Sequence, residues 1–144
     1  MLDTIINNFW TIAAAVLSFV FVGYITWRNN FKTRRAAACA AFRSAVLAEL
    51  GSIYPNVASW PENIDAFLRS RFSALQTAVE NFRPFVPWWR RWLFDRAWFR
   101  YRCATGRKID VQCYHHYMAF SGQPDPKITF YSNVSRLLSF ANET

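Results

Sequence analysis

The side chains best equipped for chemistry are the thiol of Cys103 and the run Cys113-Tyr114-His115-His116. Thiolate and imidazole are the ligands zinc prefers, and the Cys-x-His spacing lets a thiol and a ring nitrogen reach one ion. There the set stops short. It has no Cys-x-x-Cys pair and no second pair at finger spacing, and neighbouring histidines do not readily turn to the same metal. Nor does it build a cysteine nucleophile, which needs a base held by a third group. Cys103, Cys113, His115 and His116 are metal candidates by residue type alone, and no metal or other cofactor is expected. Three cysteines, an odd number, do not make a disulfide framework. Set among apolar neighbours, Cys39, Cys103 and Cys113 read as small hydrophobes in a reducing compartment.

The carboxylates offer no better site. Glu62 suits a helix cap, Asp65 a first helical turn, Asp95 a pair with arginine and Asp125 a turn. Glu49, Glu80, Asp110 and Glu143 complete the set beyond the first helix. A Ser-centred nucleophile elbow, a Gly-rich phosphate loop and a His-x-x-x-His metal helix are all missing. Catalysis is not expected.

Binding chemistry is concentrated in the run Trp88-Trp89-Arg90-Arg91-Trp92-Leu93-Phe94-Asp95-Arg96-Ala97-Trp98-Phe99-Arg100-Tyr101-Arg102. On a helix, Trp88, Trp92 and Phe99 form one apolar stripe and Phe94, Ala97, Trp98 and Tyr101 another. Arg91 and Asp95 fall four apart, close enough to pair. Such a helix is either sandwiched between neighbours or packed on one side only, with the other side against an interface. Three uses are open: the rings fill a core rimmed by arginines, or Trp and Arg meet lipid headgroups, or the rings stack on single-stranded nucleic acid. Between Arg83 and Lys108 the balance is +7, part of a net charge of +8 over 144 residues.

The element that places this run is at the other end of the chain. Phe9 to Trp27 is nineteen residues without a charge, about 28 Å as a helix and close to the hydrocarbon thickness of a bilayer. Trp10, Tyr24 and Trp27 stand where aromatic rings favour the headgroup boundary. A cleaved signal peptide would need a basic start, which Met1-Leu2-Asp3-Thr4 lacks. Every Lys and Arg lies at position 28 or later. Arg28, Lys32, Arg34 and Arg35 therefore place the N-terminus outside and the remaining chain in the cytoplasm. No ionisable side chain interrupts the span, so it reads as an anchor and not a transport path.

Beyond the anchor the pattern is mainly α. Thr33 to Leu50 is rich in Ala and Leu, with Cys39, Phe42, Val46 and Leu50 on one face, and it can continue the membrane helix. Gly51, Pro55 and Asn56 mark a turn. Ser59-Trp60-Pro61-Glu62 has the form of a capping box, followed by a stripe of Ile64, Phe67, Leu68, Phe72, Leu75, Val79 and Phe82. Arg71 falls within that arc and is expected to snorkel or meet an acid. Pro84 and Pro87 bracket a break before the Trp/Arg run. Thr105 to Lys108 reads as a loop, and residues 109–120 fit either a strand or an irregular helix. A last helix carries Ile128, Phe130, Tyr131, Val134, Leu137, Leu138 and Phe140.

Several of these stretches, taken together, resemble small uncharacterised single-pass membrane proteins of Gram-negative bacteria. The resemblance rests on Phe42-Arg43 through Glu49-Leu50, Phe82-Arg83-Pro84-Phe85, Trp88-Trp89-Arg90-Arg91, Phe94-Asp95-Arg96-Ala97-Trp98 and the closing Asn133-Val134 and Leu137-Leu138-Ser139-Phe140-Ala141. It implies the inner membrane and assigns no active residue. The expected organisation is a tail at 1–8, a transmembrane helix at 9–27 and a basic cytoplasmic helical bundle at 28–144. The leading expectation is a membrane-anchored module that binds a protein partner, as an accessory or scaffold subunit. The alternative is a tethered binder of anionic lipid or nucleic acid through segment 83–108. Contacts to the bilayer or to an anionic partner are expected at Trp27, Arg28, Lys32, Arg34, Arg35, Trp88, Trp89, Arg90, Arg91 and Trp92.

Overall fold

The computed structural model describes residues 2–56, 59–103, 112–119, 122 and 125–142, with side chains from Ile12 onward. The architecture is mainly helical: α1 (Leu2–Leu50), α2 (Ile64–Phe82), α3 (Arg91–Arg102) and α4 (Pro126–Leu138). Short 3-10 turns occupy Arg83–Phe85, Trp88–Arg90, His115–Tyr117 and Ser139–Ala141. The chain divides into two units, Met1–Ala36 and Ala37–Thr144.

The first unit is helical throughout its described length, and α1 is long and apolar enough to cross a membrane. No Gly or Pro interrupts it beyond Gly23, so nothing ends the helix where the apolar run stops. Hydroxyls inside the run are satisfied locally: Ser18 Oγ donates to the Ala14 carbonyl at 2.8 Å and Thr26 Oγ1 to the Val22 carbonyl at 2.9 Å. That back-bonding satisfies these two hydroxyls without water, which suits hydrocarbon surroundings. Tyr24, Trp27 and Phe31 form a ridge of rings with successive centroids 6.3 and 6.2 Å apart.

In the second unit, the C-terminal part of α1 buries Cys39, Phe42, Val46 and Leu50, the face that its spacing implies. A Cβ on Gly51 would meet the Leu47 carbonyl oxygen at 2.6 Å, so only glycine lets the chain leave the helix here. The capping box at Ser59 is not used. Asn63 caps α2, its side-chain oxygen accepting from the Ala66 amide at 2.9 Å. Proline disfavours helical backbone in the residue before it, so Pro61 keeps Trp60 out of a helix. Asn63 then takes the cap. Trp60 instead packs edge-on against Phe130 at 5.5 Å. Along α2, Ile64, Leu68, Leu75, Val79 and Phe82 are buried while Phe67 and Phe72 are half-buried. Arg71 meets Glu49 of α1 at 3.0 Å with its guanidinium over the Phe67 ring.

The Trp/Arg run is not one helix. Pro87 precedes a 3-10 turn at Trp88–Arg90, and the α-helix starts only at Arg91. The expected Arg91–Asp95 pair does not form either. Both oxygens of Asp95 accept from Arg83, at 2.9 and 2.8 Å, while Arg91 donates to the Val86 and Pro84 carbonyls. The proline break brings Arg83 back over α3, and a two-pronged guanidinium contact outcompetes a single helical neighbour.

Phe94, Ala97, Trp98 and Tyr101 of α3 are buried. Phe42 and Phe82 stack with centroids 4.6 Å apart, and Phe94 meets both edge-on. Asp125 caps α4 by accepting from the Lys127 amide, and Phe130, Val134, Leu137 and Leu138 enter the core. Ile128 and Tyr131, assigned to that apolar set by composition, are exposed. The loop expected at Thr105–Lys108 and residues 109–111 and 120 of the ambiguous stretch lie outside the described residues. Within 112–119, Cys113 makes an isolated parallel bridge to Cys103 and a 3-10 turn follows, so neither a strand nor a regular helix forms there.

Candidate functional site: an exposed tryptophan and arginine face

The two apolar stripes of the Trp/Arg run have separate fates. Trp98 is 5% exposed, whereas Trp88, Trp89 and Trp92 are 76%, 58% and 59% exposed and Leu93 is 39% exposed. Trp88 and Trp89 sit in the 3-10 turn ahead of α3, and within α3 Trp92 and Leu93 stand off the face that Phe94 and Trp98 bury. Trp88 and Trp89 stand nearly perpendicular, 5.8 Å apart. Large apolar side chains exposed next to one another mark an interaction surface on a folded domain. Trp adds a polar N–H to an apolar body, which suits a boundary between oil and water.

Arginines frame this face. Arg90 lies over the Phe140 ring at 5.0 Å, and Arg102 lies near Trp98 and Phe99 at 5.8 and 5.7 Å. Arg96, Arg100 and Arg136 are exposed, and among the described residues no carboxylate pairs with them. The described acids are occupied elsewhere or stand apart. Asp65 pairs with Arg69 at 2.7 Å, Glu49 with Arg71 and Asp95 with Arg83, while Glu80 accepts from Gln76 at 2.7 Å. Glu62 is exposed ahead of α2.

Of the expected contact residues, Trp27, Arg28, Lys32, Arg34 and Arg35 belong to the first unit, with Arg35 half-exposed and the rest exposed. Trp88, Trp89, Arg90, Arg91 and Trp92 gather in the second, where Arg90 is half-exposed. Arg96, Arg100 and Arg136 complete the basic face and were missed by a reading centred on tryptophan. The signal for the first two was present, since they lie four apart on one helix. Arg136 joins only because α4 packs beside α3.

The Cys/His cluster has a different character. Cys103 is buried and Cys113 half-buried, both as free thiols, with the Cys113 amide donating to the Arg102 carbonyl at 3.0 Å. His115 is exposed, and the half-buried His116 ring packs on Tyr117 with centroids 3.8 Å apart. Burial lowers the pKa of His116, partly offset by the nearby backbone carbonyls of Cys113, Tyr101 and Arg100. Among the described residues, no three His, Cys, Asp or Glu side chains come together as a metal would require. Beneath lies a buried tyrosine cluster. Tyr117 Oη donates to the Tyr101 carbonyl at 2.8 Å and accepts from Asn133 at 3.0 Å, and burial pushes the pKa of Tyr101 and Tyr117 up.

A second surface feature is an apolar groove of about 350 Å³ between α1 and α2, lined by Ala38, Ala41, Ala45, Ala78, Asn81 and Phe85 with Phe42 and Phe82. The alanines leave the groove open because they carry nothing beyond Cβ. No protein-family model matches this chain, and no curated protein or solved structure is found similar to it, so the two surfaces are interpreted from their own geometry.

Proposed function

We propose that this chain is a membrane-anchored helical module whose compact unit engages the anionic surface of the membrane through its Trp/Arg face. The setting is a bacterial inner membrane, with the N-terminus outside and the helical bundle in the cytoplasm. One observation carries the proposal: Trp88, Trp89 and Trp92 are exposed beside arginines that have no acidic partner among the described residues. A tryptophan left in water forfeits the burial of a large apolar surface. At a headgroup boundary it recovers that burial, and arginine finds lipid phosphate there. Tethering by α1 raises the effective concentration of surface around the domain, so each contact can be individually weak.

The test places the full chain in bilayers containing lipids brominated near the headgroup, with and without anionic lipid. Quenching of tryptophan emission is compared between wild type and the Trp88→Phe, Trp89→Phe, Trp92→Phe variant. In anionic bilayers the wild type should show an additional quenched component that the variant lacks. Identical quenching in both proteins rules the proposal out.

The alanine-lined groove favours a second function, recognition of a helix from a protein partner in or at the membrane, as an accessory or scaffold subunit would require. Small residues let helix backbones approach closely. Crosslinking in native membranes should recover one recurrent partner, and Ala41→Leu should abolish that recovery by filling the groove. Recovery unchanged by Ala41→Leu rules out the groove as the docking site.

A further inference from the structure

We infer that the cavity between α3 and α4, ringed by Arg96, Arg100 and Arg136, binds the phosphate of an anionic phospholipid headgroup. The inference deepens the membrane-surface function proposed above and rests on it. The cavity encloses about 270 Å³ and is lined by Leu93, Arg96, Ala97, Arg100, Arg136 and Phe140. Arg96 and Arg100 stand one helical turn apart on α3, where like charges repel. α4 then adds Arg136 to the same opening, and Arg90 lies over the ring of Phe140, which also lines the cavity. The nearest acid in α3 is Asp95, and both its oxygens are taken by Arg83. Among the described residues, nothing negative offsets this concentration of guanidinium groups. A phosphate would offset it, since guanidinium forks match phosphate oxygens two at a time.

The walls narrow the ligand further. Leu93, Ala97 and Phe140 give the cavity an apolar side that inorganic phosphate cannot use but the glycerol and first acyl carbons of a lipid can. Leu93 is itself 39% exposed, so an acyl chain leaving the cavity along it meets apolar surface first. A single-stranded nucleic acid fits less well. Stacking bases need open parallel ring faces, whereas Trp88 and Trp89 stand at 88° to each other.

Calorimetric titration of the full chain in zwitterionic detergent micelles tests the inference, using short-chain phosphatidic acid, short-chain phosphatidylcholine, inorganic phosphate and an oligothymidylate as probes. Phosphatidic acid should bind saturably, one per chain, and clearly more tightly than the other three. Arg100→Gln with Arg136→Gln should weaken it about tenfold or more. Arg69→Gln with Lys127→Gln removes the same charge outside the cavity and should leave the affinity unchanged. Helicity measured on each variant confirms that it is folded. Equal weakening by the two pairs would reduce the effect to general charge and overturn the inference. So would phosphate binding as tightly as the lipid, an oligonucleotide binding more tightly, or the absence of saturable binding. Quenching by brominated lipid reads the tryptophans and not the cavity, so the two proposals fail separately. Saturable lipid binding without quenching keeps the cavity and removes the tryptophan face, and quenching without saturable binding does the reverse.

Discussion

Trp92 and Trp98 lie six residues apart in one helix and meet opposite surroundings. Trp98 lies between the rings of Phe72 and Tyr101, with centroids 6.1 and 5.4 Å away and planes within 17° of each, and its indole N–H donates to Gln76. Trp92 is 59% exposed, and among the described residues it has no ring partner. The buried one has every requirement of an indole met from within: stacking surface on both sides and an acceptor for its only donor. The exposed one has no ring against it among the described residues, and it stands between Arg91 and Leu93. A helix apolar on two sides spends one side on its own fold and leaves the other for a partner.

The largest expected contrast is in stability. Trp98→Ala should cost about 3–5 kcal/mol, as for other large buried rings. Trp92→Ala should stay within about 0.5 kcal/mol, as for surface positions. Denaturant unfolding of the full chain in detergent, followed by helicity, reads both. Comparable losses from the two would erase the distinction between the faces.

The buried side can be sharpened next at Tyr117. Tyr117→Phe removes a donor to the Tyr101 carbonyl and an acceptor for Asn133, leaving two groups short of a partner. A loss of about 1–3 kcal/mol is expected in the same measurement. On the exposed side, Asp95→Asn breaks the contact with Arg83, but both side chains are more than 40% exposed. Solvent screening keeps that loss well below the one expected at Tyr117. A larger loss would mean that the Arg83 contact holds the proline break in place.

The subtlest prediction concerns pH. The folded state depresses the pKa of His116 below its ordinary 6.5, chiefly through burial. As pH falls below 6.5 the unfolded chain takes up a proton that the folded chain resists, so this contribution to stability is full above 6.5. It is lost as pH drops through the folded value. His116→Gln should flatten that acid-side decline, and an unaltered slope would show that His116 is not its source.

Much of the architecture could be read from residue patterns, and the exceptions share a cause. The face of Cys39, Phe42, Val46 and Leu50 and the stripe of α2 were legible because helical spacing alone selects which residues meet a core. The start of α2 was misplaced because Ser59 and Asn63 are both good caps, and four residues separate the pattern from the outcome. Arg91 was assigned to Asp95 by helical distance, and a residue from beyond the proline break claimed the acid instead. Ile128 and Tyr131 have the composition of core residues but sit on the outer side of α4. In the candidate site, the tryptophans could be named but not placed.

What the sequence determined by itself is whatever depends on neighbours along the chain. That covers a helix at the N-terminus long and apolar enough for a bilayer, the helical character of the rest and the crowding of tryptophan with arginine. The tertiary structure alone decided which tryptophans are buried, that Arg136 joins Arg96 and Arg100 around one cavity, and that Asp95 does not neutralise α3 from within. Those outcomes depend on which helices come to lie side by side. Side chains from α1, α2 and α4 compete for one buried face of α3, and the rings left outside that competition become its surface.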